Sequence, residues 1–157
     1  MGMFSISGVD IVNPSSDQRF ALGSVALSTD GQEWVYVKAG SSGITGAGYV
    51  VILSTAWVAD MVSTSNDARG WLVGVANSAF TANYYGWVQR SGYANVQVLA
   101  SAAANARLNT TATAGALDDD GTSTTFQIDG MVLSAARAAS QGNAAAVLNW
   151  PTVGAVI

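Results

Sequence analysis

The chain contains no cysteine and no histidine. These absences exclude disulfides, thiol nucleophiles, Ser-His-Asp triads and Cys/His zinc sites. No side chain has an ordinary pKa between about 4.5 and 8.5, so the usual proton carriers at neutral pH are missing. The single lysine, Lys38, follows Val35 by three residues and completes no Ser-x-x-Lys motif. The composition therefore argues against an enzyme, and we expect no catalytic residue.

Charge is also scarce. Charged residues make up 10% of the 157 residues, where about 25% is usual for soluble domains. Half of the residues are hydrophobic, so a packed core is expected in place of disorder. The net charge is −4 and the arginines are scattered, so nucleic acid is not expected as a partner. The N-terminal sequence does not resemble a signal peptide, no stretch is apolar enough to cross a membrane, and no membrane association is expected.

One dense acidic feature, Asp118–Asp120 followed by Gly121, raises the question of a metal. An EF-hand alignment would place Ala116 at the first ligand position and Gln127 at the twelfth, and neither residue suits calcium there. An Asp-Gly turn that closes a hairpin is the favoured interpretation. A weak cation site of another kind is the alternative. We expect no metal site and no cofactor.

Alternation of apolar and polar residues with a period of two dominates from Phe20 onward and predicts β-strands. The turn at 29–31 predicts a hairpin, and the run Tyr49–Leu53 predicts a strand buried on both faces. Ser91-Gly92 predicts a second hairpin, whereas a short helix competes with a strand between residues 54 and 67. Together the segments predict an all-β fold, a single-domain β-barrel or β-sandwich of about eight to ten short strands.

Residues 1–19 differ from the β-rich domain predicted for residues 20–157. Spaced apolar residues and Pro14 predict an extended N-terminal arm. The arm could dock on a neighbouring subunit, or it could form the first strand of its own sheet. The side chains available for docking are Phe4, Ile6, Val9 and Ile11.

Aromatic residues are candidates for both core and interface. Alternation predicts that the strand tryptophans point inward as core, namely Trp34, Trp71, Trp87 and Trp150. Tyr84 and Tyr85 are adjacent and point to opposite faces of a strand, so at least one should be exposed or face a subunit. Exposed aromatic rings beside amide groups can also stack sugars, and this keeps a carbohydrate-binding function open.

Several short segments set the order of elements between residues 20 and 153: Gly74-Val75-Ala76 with Ala79-Phe80, Tyr85-Gly86-Trp87-Val88-Gln89 with Gly92, Val96-Gln97-Val98, Leu108 to Asp118, Ile128-Asp129-Gly130, and Trp150-Pro151. This order resembles the small decoration proteins, also called cement or head-stabilisation proteins, of tailed-bacteriophage capsids.

The resemblance implies a β-rich structural protein without catalytic residues that sits on the exterior of the virion after synthesis in the host cytoplasm. It implies a homotrimer that bridges major capsid protein subunits. The interface residues expected on this basis are Phe4, Ile6, Val9, Ile11, Tyr84 and Tyr85. The alternative is a virion surface module that binds a host glycan or receptor.

Overall fold

The computed structural model describes residues 8–121 and 124–157, and these residues form ten β-strands. The strands are β1 (Val25–Leu27), β2 (Glu33–Ala39), β3 (Val50–Leu53), β4 (Val58–Met61), β5 (Leu72–Ala76), β6 (Tyr85–Val98), β7 (Leu108–Thr110), β8 (Leu117–Asp118), β9 (Phe126–Leu133) and β10 (Gly142–Val156). All ten belong to one sheet that closes on itself. The predicted all-β, single-domain, barrel- or sandwich-like architecture is confirmed.

The sheet closes into two rings of strands that share β6. In the first ring, β2, β4, β3, β5 and β6 pair in that order, and β6 returns to β2. In the second ring, β6, β8, β7, β9 and β10 pair in that order, and β10 returns to β6. Strand β1 pairs with β2 outside the rings and completes the predicted hairpin. Closure leaves the strands of a ring without a free edge between them.

The shared strand β6 is one continuous 14-residue strand. Its first half pairs with β2 and its second half with β10, and both pairings reach Ser91. The hairpin predicted at Ser91-Gly92 is therefore wrong. Gly92 has a φ of +92°, and a Cβ there would lie 3.0 Å from the Gln32 Cγ. The glycine permits a local change of direction where β6 passes from one ring to the other, so the chain continues as a strand.

Strands β3 and β5 lie between the two hydrophobic cores, and this explains their apolar sequences. Val51 and Leu53 pack in the core of the first ring. Val50 and Ile52, which point to the opposite face of β3, pack in the larger core, which β3 and β5 form together with the strands of the second ring. The prediction that Tyr49–Leu53 holds a strand buried on both faces is thus confirmed for all four residues of β3.

Other local predictions have mixed outcomes. Of the two alternatives for residues 54–67, the strand is correct, because Val58–Met61 form β4 and none of these residues is helical. Strand β10 continues through Pro151, because a register shift between Leu148 and Thr152 places Pro151 in a bulge, where no N–H is needed for pairing. Trp34 and Trp87 are buried as predicted, whereas Trp71 and Trp150 are 40% and 47% exposed.

Two glycines with similar φ angles, Gly31 and Gly130, differ in how closely another part of the backbone approaches them. Comparing them tests whether the pairing of β9 with β10 requires a glycine at position 130. Gly130 has a φ of +77°, and a Cβ there would lie 2.5 Å from the Asn149 carbonyl oxygen. Gly31 has a φ of +80° with nothing within 4 Å of an added Cβ. We predict that Gly31→Ala lowers the free energy of unfolding by about 1–2 kcal/mol, from backbone strain alone. Gly130→Ala should lower it by about 3 kcal/mol or more, because overpacking adds to that strain.

Urea unfolding followed by tryptophan fluorescence measures both variants. Equal losses of stability in the two would contradict the close approach of β9 and β10 at Gly130.

Candidate functional site

The N-terminal segment lies on its own domain from residue 8 onward. Val9 and Ile11 pack against an aromatic cluster on the outside of the first ring, which Trp34, Tyr36 and Trp87 form together with Ala26. Farther along, Ser15 and Tyr85 exchange two backbone hydrogen bonds of 2.8 Å. Phe4 and Ile6, the other two expected docking residues, lie outside the described residues.

A turn centred on Asp10 fixes the direction of this segment. Its carboxylate accepts hydrogen bonds from the Asn13 side chain at 2.8 Å and from the Val12 and Asn13 backbone N–H groups at 2.9 and 3.0 Å. These bonds, the one from the Asn13 side chain above all, lower the pKa of Asp10. The segment is therefore ordered locally by the chain itself.

The two adjacent tyrosines have different surroundings, although both are half-buried. Tyr85 stacks on Tyr36, with ring centroids 6.4 Å apart and planes 16° apart, and the Lys38 Nζ lies 5.9 Å from the Tyr85 ring. Tyr85 thus joins Val9 and Ile11 around the same aromatic cluster. Tyr84 lies outside that cluster. The structure brings together three of the six expected interface residues, but around the domain's own core.

A different surface, on the outside of the second ring, presents apolar side chains to solvent. Tyr93 on β6 pairs with Val147 on β10, and Val147 pairs in turn with Val132 on β9. Directly paired residues share a face of the sheet, so the three side chains form a row across three strands. Tyr93 is 74% exposed, Val147 42% and Val132 43%. We call this surface the Tyr93 face.

Uncharged residues surround the row. On the same face, Asn95 pairs with Ala145 and Ser91 pairs with Asn149. Residues 91–97, 131–133 and 142–149, which supply the three strands here, contain no charged side chain. The alternation of residues along β10 could have predicted part of this face, because Ala144, Ala146 and Leu148 point into the core and Val147 must then point outward. The choice of Tyr93 over Tyr84 and Tyr85 depends on what covers each ring, which alternation does not show.

A cleft of about 320 Å³ borders the Tyr93 face. Five carboxamide side chains line it together with two aromatic ones: Gln32, Asn77, Gln89, Asn95, Asn143, Trp34 and Tyr93. We call it the amide cleft. Among the described residues that line it, none is charged.

Some amide groups of the cleft are fixed by hydrogen bonds and others are free. The Gln89 Nε2 donates to the Ser91 and Tyr93 carbonyl oxygens, at 2.9 and 2.8 Å. The side chains of Asn77 and Asn95 make no hydrogen bond within residues 8–121 and 124–157. The Nε1–H of Trp34 is buried and also has no partner there. The cleft therefore combines a fixed amide with donors and acceptors available to a ligand.

Two buried charges lie where β6 leaves β2. Glu33 pairs with Ser91 and the next residue pairs with Gln89, so Arg90 is the extra residue of a bulge. Arg90 is 7% exposed and its guanidinium carbon lies 4.3 Å from the centroid of the Trp150 ring. Burial raises the pKa of Glu33, and the positive charge of Arg90 opposes this rise. Burial likewise lowers the pKa of Arg90, opposed by Glu33.

The acidic run does not close a hairpin. Strand β8 ends at Asp118, and both β8 and β9 pair with β7 between them, so the run connects two strands that are not neighbours. Burial raises the pKa of Asp118, while a 2.9 Å hydrogen bond from the Asp119 N–H opposes the rise. The described part of the chain contains no group of three acidic side chains placed to hold a metal ion. It also contains no helix long and apolar enough to cross a bilayer.

The raised pKa of Glu33 predicts a pH dependence of stability. A carboxyl whose pKa is higher in the folded state binds its proton more tightly there, so its contribution to stability is present below the unfolded pKa of about 4.3 and is lost as pH rises through the folded pKa. Glu33→Gln removes this titration. We predict that wild-type stability relative to the variant falls as the pH rises from about 4.3 through the raised pKa of Glu33 in the folded state.

Urea unfolding at a series of pH values measures the difference, and Asp17→Asn serves as a control that removes an exposed carboxylate. A wild-type advantage over the Glu33→Gln variant that stays constant or grows with pH would contradict the burial of Glu33.

Two surfaces of the described chain are thus open to another molecule: the Tyr93 face and the amide cleft. They meet at Tyr93. Comparison with known proteins assigns neither surface a role, because no protein-family model matches the chain and no curated protein sequence matches it significantly.

Proposed function

We propose that this protein is a structural component of a bacteriophage virion that binds the outer surface of the capsid and stabilises it by bridging major capsid protein subunits, without a catalytic role. The Tyr93 face carries this proposal. An apolar centre inside an uncharged polar rim is the usual composition of a protein interface, and tyrosine is a frequent anchor in such interfaces. The order of segments between residues 20 and 153, which resembles capsid decoration proteins, supplies the identity of the partner.

The expected energy of docking favours an oligomer. Burying the exposed parts of Tyr93, Val132 and Val147 would contribute about 4 kcal/mol. This contribution is no larger than the about 4–15 kcal/mol that association costs in lost freedom of motion. A homotrimer makes the second and third contacts intramolecular, which raises avidity by about 10²–10⁴. We therefore propose that the protein acts as a trimer on the virion exterior.

The contact is proposed at the Tyr93 face and not at the N-terminal arm. Val9 and Ile11 already pack against the domain's own aromatic cluster. If they docked on a neighbour, they would first have to leave this cluster and expose part of it to solvent. The Tyr93 face needs no such rearrangement, because Val132, Val147 and Tyr93 are exposed as the chain stands.

A charge in the middle of the face tests the proposal. We predict that Val147→Asp lowers affinity for undecorated capsids by about 100-fold or more, because docking would bury an unpaired carboxylate. Val156→Asp is the matched control, since Val156 is 54% exposed on the same strand but lies outside the face. Co-sedimentation with undecorated capsids measures binding, and the capsid melting temperature measures stabilisation.

Urea unfolding of both variants verifies that each is folded. The proposal fails if folded V147D occupies and stabilises capsids as wild type does, or if V156D loses binding to the same extent. It also fails if the wild-type protein does not bind undecorated capsids.

A further inference from the structure

We infer that the amide cleft is a binding site for a neutral saccharide. The inference is separate from the capsid proposal, because only two of the side chains that line the cleft, Tyr93 and Asn95, also lie on the Tyr93 face. It starts from the size of the cleft. The volume of about 320 Å³ lies within the range of about 300–1,000 Å³ that is common for small-molecule sites.

The side chains of the cleft select the chemical class of the ligand. A phosphate or carboxylate ligand would call for arginine or lysine, and a metal cation would call for carboxylates. The described lining contains neither. Each carboxamide offers both a donor and an acceptor, and a sugar hydroxyl likewise donates and accepts. Uncharged polyhydroxyl compounds are therefore the ligands that this lining matches.

The hydrogen bonds already present leave the right atoms for such a ligand. Gln89 is 5% exposed, and its amide N–H groups are used by two backbone carbonyls, so its Oε1 remains as an acceptor. Asn77 and Asn95 keep all their side-chain donors and acceptors. Trp34 adds part of its indole ring to the lining. At the rim, the exposed ring of Tyr93 offers a surface on which the apolar C–H face of a sugar can stack.

A peptide fits the cleft less well than a sugar. Extended peptides bind mainly by pairing their backbone with a free strand edge. Around the cleft the strands already have partners: Val75 pairs with Gln89, and Asn95 pairs with Ala145. The segment before β3 is also occupied, because the Gly48 N–H donates to the Ala76 carbonyl oxygen at 2.7 Å. Ligand recognition must therefore come from side chains.

Titration of the full chain with D-glucose, D-galactose, D-mannose and N-acetyl-D-glucosamine tests the inference, with side-chain and backbone amide NMR signals as the readout. A single sugar ring should bind with a Kd of about 1 mM, given the modest affinity per atom of small ligands. We expect the side-chain amide signals of Asn77 and Asn95 to shift for at least one sugar. The double substitution Asn77→Ala and Asn95→Ala should weaken that binding about tenfold or more.

Asn149→Ala is the matched control, because Asn149 is exposed on the Tyr93 face and does not line the cleft. It should bind the sugar as wild type does. The inference is overturned if no sugar shifts the two amide signals, if the double variant binds as wild type does, or if an unrelated pool of extended peptides shifts these signals while the sugars do not.

Discussion

Continuous backbone pairing along β6 is the constraint on which the rest of the structure depends. Both rings contain this strand, and successive side chains along a strand point to opposite faces of the sheet. In each ring, one set of β6 side chains therefore points inward and the other set points outward. Val88 points into the first ring and Val96 into the core of the second. Trp87 and Tyr93 point outward from the same strand. Their different exposure, 2% against 74%, then depends on whether another part of the chain covers them.

The N-terminal segment covers one of these two outer surfaces and leaves the other open. Residues between Val9 and Leu22 pack over Trp34, Tyr36 and Trp87 on the first ring. The corresponding surface of the second ring, around Tyr93, has no such cover within the described residues. The described chain thus covers the aromatic side chains of one sheet face with its own residues and leaves an uncharged apolar row exposed on the other, which is the kind of surface that the proposed capsid contact requires.

The sequence was informative where a pattern depended on neighbouring residues alone. The apolar run that forms β3 and the hairpin of β1 and β2 were predictable, because burial on both faces and turn chemistry leave local traces. The strand through Gly92 was not, because a glycine with positive φ suits a turn and a bend equally well. Only β10, about fifty residues later in the chain, supplies the pairing that keeps β6 extended there.

The same limit applied to the site. Trp71 and Trp150 alternate as core residues would, yet they are exposed because their neighbours in space are set by long-range register. Tyr85 has a polar hydroxyl group, which is typical of an exposed residue, but it packs against the same aromatic cluster as the N-terminal segment. The side chains that line the amide cleft come from the ends of β2 and β5 and from within β6 and β10. No spacing in the sequence predicts that these residues lie together.

Tyr93 and Asn95 belong to both open surfaces, but the two surfaces extend in different directions. The Tyr93 face runs from Tyr93 across β10 to Val132 on β9, whereas the amide cleft runs from Tyr93 toward Gln32 and Asn77, next to β2 and β5. An occupant of the cleft held by the amides of Asn77 and Gln89 would leave Val132 and Val147 uncovered.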